Sequence, residues 1–341
     1  MMKKLLGVID ATTQFTDLSE LTSHRSLAAL PFAGRYRLID FVLSSMVNSG
    51  IQSVAIFPKY QYRSLMDHLE SGKNWGLHRK KDGLFFFPSP MLDVPSSGIG
   101  SFTHFGANLD YFYKSTQEYA IIANCYTIFN IDFRPIVERH IDLGCDITEI
   151  YQNGQSLDIY LVKTSLLIQL IQTRQETGYT CMKDVVNNET PYTLCSYEYP
   201  YEVFTIDSVQ SYYVASMKML YPFIWENIFV TEQPIFTKVK DEPPTRYCKD
   251  ATVKHSLVAN GCTIDGSVEN SIVSRSVKIG KGAIIKNSII LQKCTIGENC
   301  VIDSAILDKD VKIGQGVKII GTKQNPQVIR KGTVQGALMN S

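Results

Sequence analysis

The stretch Val277–Ile320 reads VKIGKGAIIKNSIILQKCTIGENCVIDSAILDKDVKIGQGVKII. Isoleucine precedes glycine at Ile279-Gly280, Ile296-Gly297 and Ile313-Gly314, two successive intervals of 17 residues. Between them aliphatic residues fall five or six apart, at Ile279, Ile285, Ile290, Ile296, Ile302, Leu307, Ile313 and Ile319. An amphipathic helix repeats every 3.6 residues and a half-buried strand every two, so neither fits. A step of five or six that closes every 17 predicts a coil with three short sides and one inward aliphatic side chain per side. An ordinary β-sandwich of short strands would not keep so strict an interval. Glycine in GKGA, GENC and GQGV is expected to permit the tight corners. Val253, Val258 and Ile264 mark an earlier, less regular coil, so residues 251–341 are expected to form a parallel β-helix.

Before this region, residues 231–245 (TEQPIFTKVKDEPPT) hold three prolines and mixed charge, which predicts a linker or wrapping loop over 231–250. Residues 1–230 have another rhythm. Lys4–Ile9 is strand-like. A helix is expected over Asp40–Asn48, with Asp40 capping its first turn, Ile39, Val42, Leu43, Met46 and Val47 as its apolar stripe, and Gly50 ending it. Strand 52–57, helix 60–69 with Tyr62, Leu65, Met66 and Leu69 on one side, strand 120–123 and helix 135–143 follow. Such alternation argues an α/β domain with a mostly parallel sheet and helices on both faces.

Composition narrows the function classes. A net charge of +1 carries no broad field for nucleic acid or an anionic membrane, although a local cluster still suits a small anion. The apolar run after MMKK is too short for a signal peptide, and no segment reaches the length of a membrane span. A soluble, cytoplasmic chain is expected. The eight cysteines include no C-x-x-C pair and the six histidines are scattered, so buried free thiols are expected and no metal site.

The run GRYRLIDFVLSSMVNSGI (Gly34–Ile51) resembles the G-K-F-R-I-I-D-F-x-L-S-N-x-x-N-S-G-I run of bacterial ADP-glucose pyrophosphorylases, the glucose-1-phosphate adenylyltransferases. ANLDYF (Ala107–Phe112) resembles their Q-N-L-D-Y-I. The resemblance implies a Rossmann-like nucleotidyltransferase (GT-A-like) domain followed by a left-handed parallel β-helix of hexapeptide repeats. The handedness comes from the resemblance, since the usual crossover rule favours the right hand. It also implies a reaction in which a phosphate oxygen of glucose 1-phosphate attacks the α-phosphorus of ATP and pyrophosphate leaves. Such a site needs a glycine-rich loop, an arginine, a lysine and two metal-holding aspartates.

The chain departs from that pattern at nearly every such place. Counting back without gaps from Arg37-Leu38-Ile39-Asp40, the family's A-G-G-x-G-T-R-L falls on Ala11–Leu18. Its glycines are Thr12, Thr13 and Phe15 here, and its arginine is Asp17, a reversal of charge. The K-P pair is Leu27-Ala28. The metal aspartate of G-D-H is Tyr126, and the G-T-A-D-A segment is Gly100–His104. Only YQNGQS lies between Ile150 and Leu157, where the family carries a longer sugar-phosphate segment. Asp207 resembles the second metal aspartate and is expected as a structural remnant. The resemblance is therefore to the family's non-catalytic, regulatory (D-type) subunit. It implies no cofactor for this chain, Mg²⁺ in a catalytic partner, and a heterotetramer with that partner in glycogen biosynthesis.

His24, Arg25, Arg35 and Arg37 gather before the Asp40 helix, and Arg275 stands in the β-helix segment VSRSVKIG. Arg25 and Arg37 resemble basic residues of the family's effector site, which implies an anionic metabolite held between the two domains. Guanidinium groups suit phosphate, but they serve internal ion pairs equally well. LFFFPSP (Leu84–Pro90) reads as a core or interface edge. The tyrosines at 192, 197, 199, 201, 212 and 213 suit either a subunit interface or an edge strand. The competing readings are a weakly active nucleotidyltransferase, a stand-alone sugar-phosphate or nucleotide sensor, and a hexapeptide acyltransferase. The last is poorly served, because His255 is the lone histidine after residue 140.

Overall fold

In a computed structural model of the chain, residues 5–79, 82–89 and 98–336 are described. Lys4 of the expected first strand, Pro90 of the aromatic run and residues 337–341 of the expected β-helix lie outside the described residues. Seven strands form the central sheet: β1 (Leu5–Ala11), β2 (Ser53–Pro58), β3 (Gly83–Phe86), β4 (Tyr119–Asn124), β5 (Ile147–Gln152), β6 (Gln155–Lys163) and β7 (Leu194–Glu198). Their order is β7-β5-β6-β4-β1-β2-β3. The pairs are parallel except around β6, which runs antiparallel to both neighbours. YQNGQS is the hairpin joining β5 to β6. Its Asn153 and Gly154 sit at φ 49° and 72°, the left-handed pair that a tight two-residue turn requires.

The expected Asp40 helix is α1 (Leu38–Asn48), two residues longer at its start. Asp40 lies one turn in, and its Oδ2 accepts the Arg37 N–H at 2.9 Å. The helix is buried nearly all round rather than along one stripe, because loops cover its outer side. Its serines make that possible. Ser45 Oγ accepts the Ile131 N–H, Ser49 Oγ the Phe133 N–H and Ser44 Oγ the Phe236 N–H. A hydroxyl paired in this way carries no burial penalty. The next helix, α2 (Arg63–Leu69), starts three residues later than expected, since Gln61 takes φ 45°. It buries Leu65, His68 and Leu69, while Met66, expected on the inner side, is exposed. The helix expected over 135–143 is α3 (Arg134–Asp142).

The C-terminal region forms three parallel sheets, the sides of a left-handed β-helix. Thr263 pairs with Lys278, Lys278 with Thr295, Thr295 with Lys312 and Lys312 with Val334, so successive coils take 15, 17, 17 and 22 residues. All eight periodic aliphatics from Ile279 to Ile319 point inward and are buried. Each contributes about 1.5–3 kcal/mol. The glycine reading holds in part. All three sets of corners lie at positive φ: His255, Asn270, Asn287 and Ser304 build one without glycine, Gly261, Ser276, Lys293, Asp310 and Gly332 another, and Gly282, Asn299 and Gly316 of GKGA, GENC and GQGV the third. The glycines of the Ile-Gly pairs serve close stacking instead. A Cβ on Gly280 would meet the Gly297 backbone at 2.8 Å, and one on Gly297 the Gly314 backbone at 2.8 Å.

The two regions share one core. Ile289, Leu291 and Ile306 of the β-helix join the cluster built on Leu6, Phe32, Phe41 and Tyr212. From helix α4 (Val209–Lys218), the Tyr212 hydroxyl donates to Pro31 O at 2.7 Å and the Tyr213 hydroxyl to Asn287 O at 2.6 Å. The stretch expected as linker straps across this joint. Lys238 Nζ bonds Asp67 O and Glu70, Glu242 accepts the Ser276 hydroxyl, and Arg246-Tyr247 already pair with Thr263-Ile264 as the first rung. Cysteine usage also differs from expectation. Cys145 and Cys195 form a disulfide, because the parallel pairing of β7 with β5 brings them together across 50 residues of chain, while Cys125, Cys181, Cys248, Cys262, Cys294 and Cys300 are free.

Candidate functional site: a filled cleft and a basic cavity

The ends of β1 and β4 lie side by side, Asp10 paired with Asn124. In a doubly wound sheet this is where a ligand cleft opens. The loop Thr12–Leu18 leaves β1 here. Phe15 meets the ring of Tyr126 edge-on, with centroids 5.1 Å apart. Thr12 is buried, Thr13 is half-buried, and Asp17 is exposed on the turn Thr16–Leu18. Leu27 and Ala28 are packed into the core.

Two carboxylates that sequence reasoning missed complete the closure. Asp10 is fully buried. Its Oδ1 accepts from the Thr12 N–H at 2.9 Å and hydroxyl at 2.7 Å, and its Oδ2 accepts the N–H groups of Gly100 and Ser101. The charged end of an otherwise apolar first strand was the only signal for it. Asp158 accepts the hydroxyls of Tyr126 at 3.3 Å and Tyr160 at 3.1 Å. Burial, with the Asp158 charge beside them, pushes both phenols far above their ordinary range, so they stay protonated donors.

Asp207 is exposed and accepts the Ser208 hydroxyl. Ile206 N–H bonds Tyr126 O, so the chain before Asp207 runs beside Tyr126, whose hydroxyl is turned to Asp158. Among the described residues no group of three or more His, Cys, Asp or Glu side chains is arranged to hold a metal. The residues present do not fit Mg²⁺.

The joint between the domains is built the opposite way. The strands Pro31–Phe32 and Tyr36–Arg37 form a hairpin, with Ala33 and Gly34 at positive φ, whose tip lies against Ala259 and Val273 of the β-helix. Beside it opens a cavity of about 240 Å³. Eight lysine and arginine side chains line it against two acidic ones, Glu242 and Asp310. Arg35, Arg37 and Arg275 are among them. Arg275 bonds the Arg35 carbonyl at 3.4 Å, and Arg37 bonds Ser64 O at 2.5 Å. Asp40 holds His68 at 2.6 Å, and burial lowers the His68 pKa despite that partner.

Electrostatics in this cavity are under-compensated. Burial, with Arg37 and Arg25 nearby, pulls the Lys309 ammonium down to about 7. Burial also lowers Arg37 to about 10, and lowers Arg275 and Lys240 in the same direction, with neighbouring guanidinium groups adding to it. Cations gathered at such a cost are the arrangement an anion completes.

The two remaining candidates lie elsewhere. His24 is exposed and does not line the cavity. Arg25 is buried, its guanidinium on both oxygens of Asp308 at 2.8 and 3.0 Å and on Leu21 O. It ties the α/β domain to the β-helix. Sequence reasoning missed Lys240, Lys293 and Lys309, which come to the arginines only through folding.

The sequence matches the family described as Nucleotidyl transferase over residues 11–155 and the one described as GlmU-like, C-terminal hexapeptide over residues 243–334. It is 57% identical over 339 residues to the glycogen biosynthesis protein GlgD of Bacillus subtilis (strain 168), covering 99% of each chain. It is 57% identical over 344 residues to the GlgD of Geobacillus stearothermophilus, covering 100% of each. The glucose-1-phosphate adenylyltransferase of Geobacillus stearothermophilus is 27% identical over 328 residues, covering 84% of each. No helix among the described residues is long and apolar enough to cross a membrane.

Proposed function

Because the chain belongs to the GlgD family of glycogen biosynthesis proteins, we propose that it is the non-catalytic, regulatory subunit of an ADP-glucose pyrophosphorylase. It works in the cytoplasm, in a heterotetramer with a catalytic subunit that makes ADP-glucose and pyrophosphate from ATP and glucose 1-phosphate. One observation carries this reading. Where transfer to the sugar needs glycines and a metal carboxylate, Phe15 and Tyr126 are packed against each other. Removing a single charge-stabilising donor costs about 2.7–4 kcal/mol of barrier. Here the arginine, the lysine and a metal ligand are replaced together, and Asp17 adds a negative charge to the loop.

The basic cavity supports the regulatory half of the reading. A phosphorylated metabolite held there touches Arg37 from the α/β domain and Arg275 from the β-helix at once. Its binding therefore bears on how the two regions sit against each other, through the shared core and the Arg25–Asp308 tie. A ligand that contacts both sides of a joint biases whichever arrangement it fits better. The test is to purify the chain alone and together with its host's catalytic homologue. Alone it should form no ADP-glucose with Mg²⁺; together the two should co-purify and the homologue's kinetics should change. Turnover by the chain alone, or failure both to co-purify and to alter the homologue, rejects the reading.

A further inference from the structure

A second hollow lies at the carboxyl end of the sheet and shares no lining residue with the basic cavity. It is a groove of about 490 Å³ between the start of α3, the end of β7 and the beginning of the strap. Tyr197, Tyr199 and Tyr201 form one wall, the last two rings meeting edge-on with centroids 5.6 Å apart. Tyr201 is 57% exposed, whereas Tyr199 is buried and spends its hydroxyl on Asn130 O at 3.0 Å. The other walls carry Asn227, Glu232 and Gln233.

The groove is preformed. Asn130, only 7% exposed, donates through Nδ2 to Ile228 O at 2.9 Å and Gln233 O at 2.8 Å. It thus fastens the walls to one another, and its Oδ1 has no partner. No lysine or arginine lines this groove; Arg134 beside it is taken up by Asp132 at 2.7 Å, and the remaining carboxylate, Glu232, disfavours phosphates and nucleotides. Aromatic faces suit the C–H faces of a pyranose, and primary amides and carboxylates suit its hydroxyls, donating and accepting in turn. A purely apolar partner would leave these amides and carboxylates desolvated and unpaired.

We propose that this groove binds a short segment of a neutral glucan, with the exposed Tyr201 ring stacking on a sugar and Asn227 and Gln233 reading the hydroxyls. The polymer is the product the family serves, so the site would hold the chain near it. This does not depend on the regulatory reading and stands even if no catalytic partner is found.

Native gels cast with and without glycogen test it, together with calorimetric titration of maltoheptaose into the full-length chain. Retardation by glycogen is expected, with competition by maltoheptaose and not by glucose 1-phosphate. Tyr201→Ala should weaken maltoheptaose by roughly tenfold or more, Tyr201→Phe should keep most of the affinity, and Asn227→Ala should weaken it independently. Circular dichroism checks that each variant is folded, and both positions are solvent-accessible enough to tolerate truncation. Unchanged migration in glycogen, equal binding by Tyr201→Ala and Asn227→Ala, or capture of a proline-rich peptide in place of the glucan overturns the proposal.

Discussion

The cleft at the ends of β1 and β4 and the cavity between the domain and the β-helix are made from opposite materials. In the first, polar positions have become aromatic or aliphatic, and the carboxylates that remain are satisfied internally, Asp10 by backbone N–H groups and Asp158 by two phenols. In the second, cations are held close together without enough acid to balance them, and burial lowers Lys309, Arg37, Arg275 and Lys240 alike. A satisfied network has nothing to offer a ligand; an unsatisfied one does. The difference teaches that two regions of one scaffold can be built to opposite ends, one with its carboxylates satisfied from within and the other with its cations left uncompensated.

The strongest way to break this comparison is to try to reopen the cleft. Combining Thr12→Gly, Thr13→Gly, Phe15→Gly and Asp17→Arg should yield no ADP-glucose above background, because Tyr126 and the short β5–β6 hairpin remain. Each missing donor alone is worth about 10²–10³ in rate. Detectable turnover by that variant would show that the loop was the only defect.

Next in size is the tie between the regions. Arg25→Ala strands the Asp308 carboxylate in a buried place and should cost about 3–5 kcal/mol in chemical unfolding. Converting Asp308→Asn in the same chain should return part of that loss. A change within about 0.5 kcal/mol would place Arg25 among ordinary surface positions and reopen its assignment as an anion ligand.

Smaller effects distinguish the cavity. Arg275→Ala should weaken pyrophosphate, a simple polyanionic probe, by about tenfold or more, since a hydrogen bond to a charged group contributes about 1.5–3 kcal/mol. It should leave stability nearly unchanged, because the residue's own protein bond is long. Equal binding by the variant would remove the cavity from the account.

The last effect is in pH and is read as a slope. Lys309 titrates near 7 when folded, well below its ordinary value. Between about pH 7 and the unfolded value near 10.4 the unfolded chain binds more protons, so stability should rise with pH across that window. Below it the penalty is fully present. Lys309→Met should flatten the rise in thermal unfolding, and saturating pyrophosphate should do the same from the other side by returning the proton to Lys309. A slope unaffected by either would mean that the ammonium is not the group under strain.

Much of this was legible in the sequence. The 17-residue interval specified the β-helix, and the departures at Thr12, Phe15, Asp17 and Tyr126 from the resembled pattern were visible in the sequence. What sequence could not show was pairing between distant segments. Arg25 and Arg37 stand in one short run, yet Asp308 captures the first and leaves the second to the cavity. Lys309 and Lys293 reach the arginines only because coils stack. The Cys145–Cys195 disulfide depends on β7 joining the sheet beside β5. Of the glycines in these motifs, Gly282 and Gly316 turn corners as expected, while Gly280 and Gly297 answer to the backbone of the next coil, since periodicity locates a small residue without saying whether a turn or a close neighbour requires it.

The most direct test measures the catalytic homologue's ADP-glucose synthesis against pyrophosphate-free phosphate, alone, with the wild-type chain and with the Arg275→Ala chain. The account predicts that the wild-type chain changes both the rate and its response to phosphate, and that the variant co-purifies equally but loses the change in response. A homologue whose kinetics are the same in all three mixtures would contradict it.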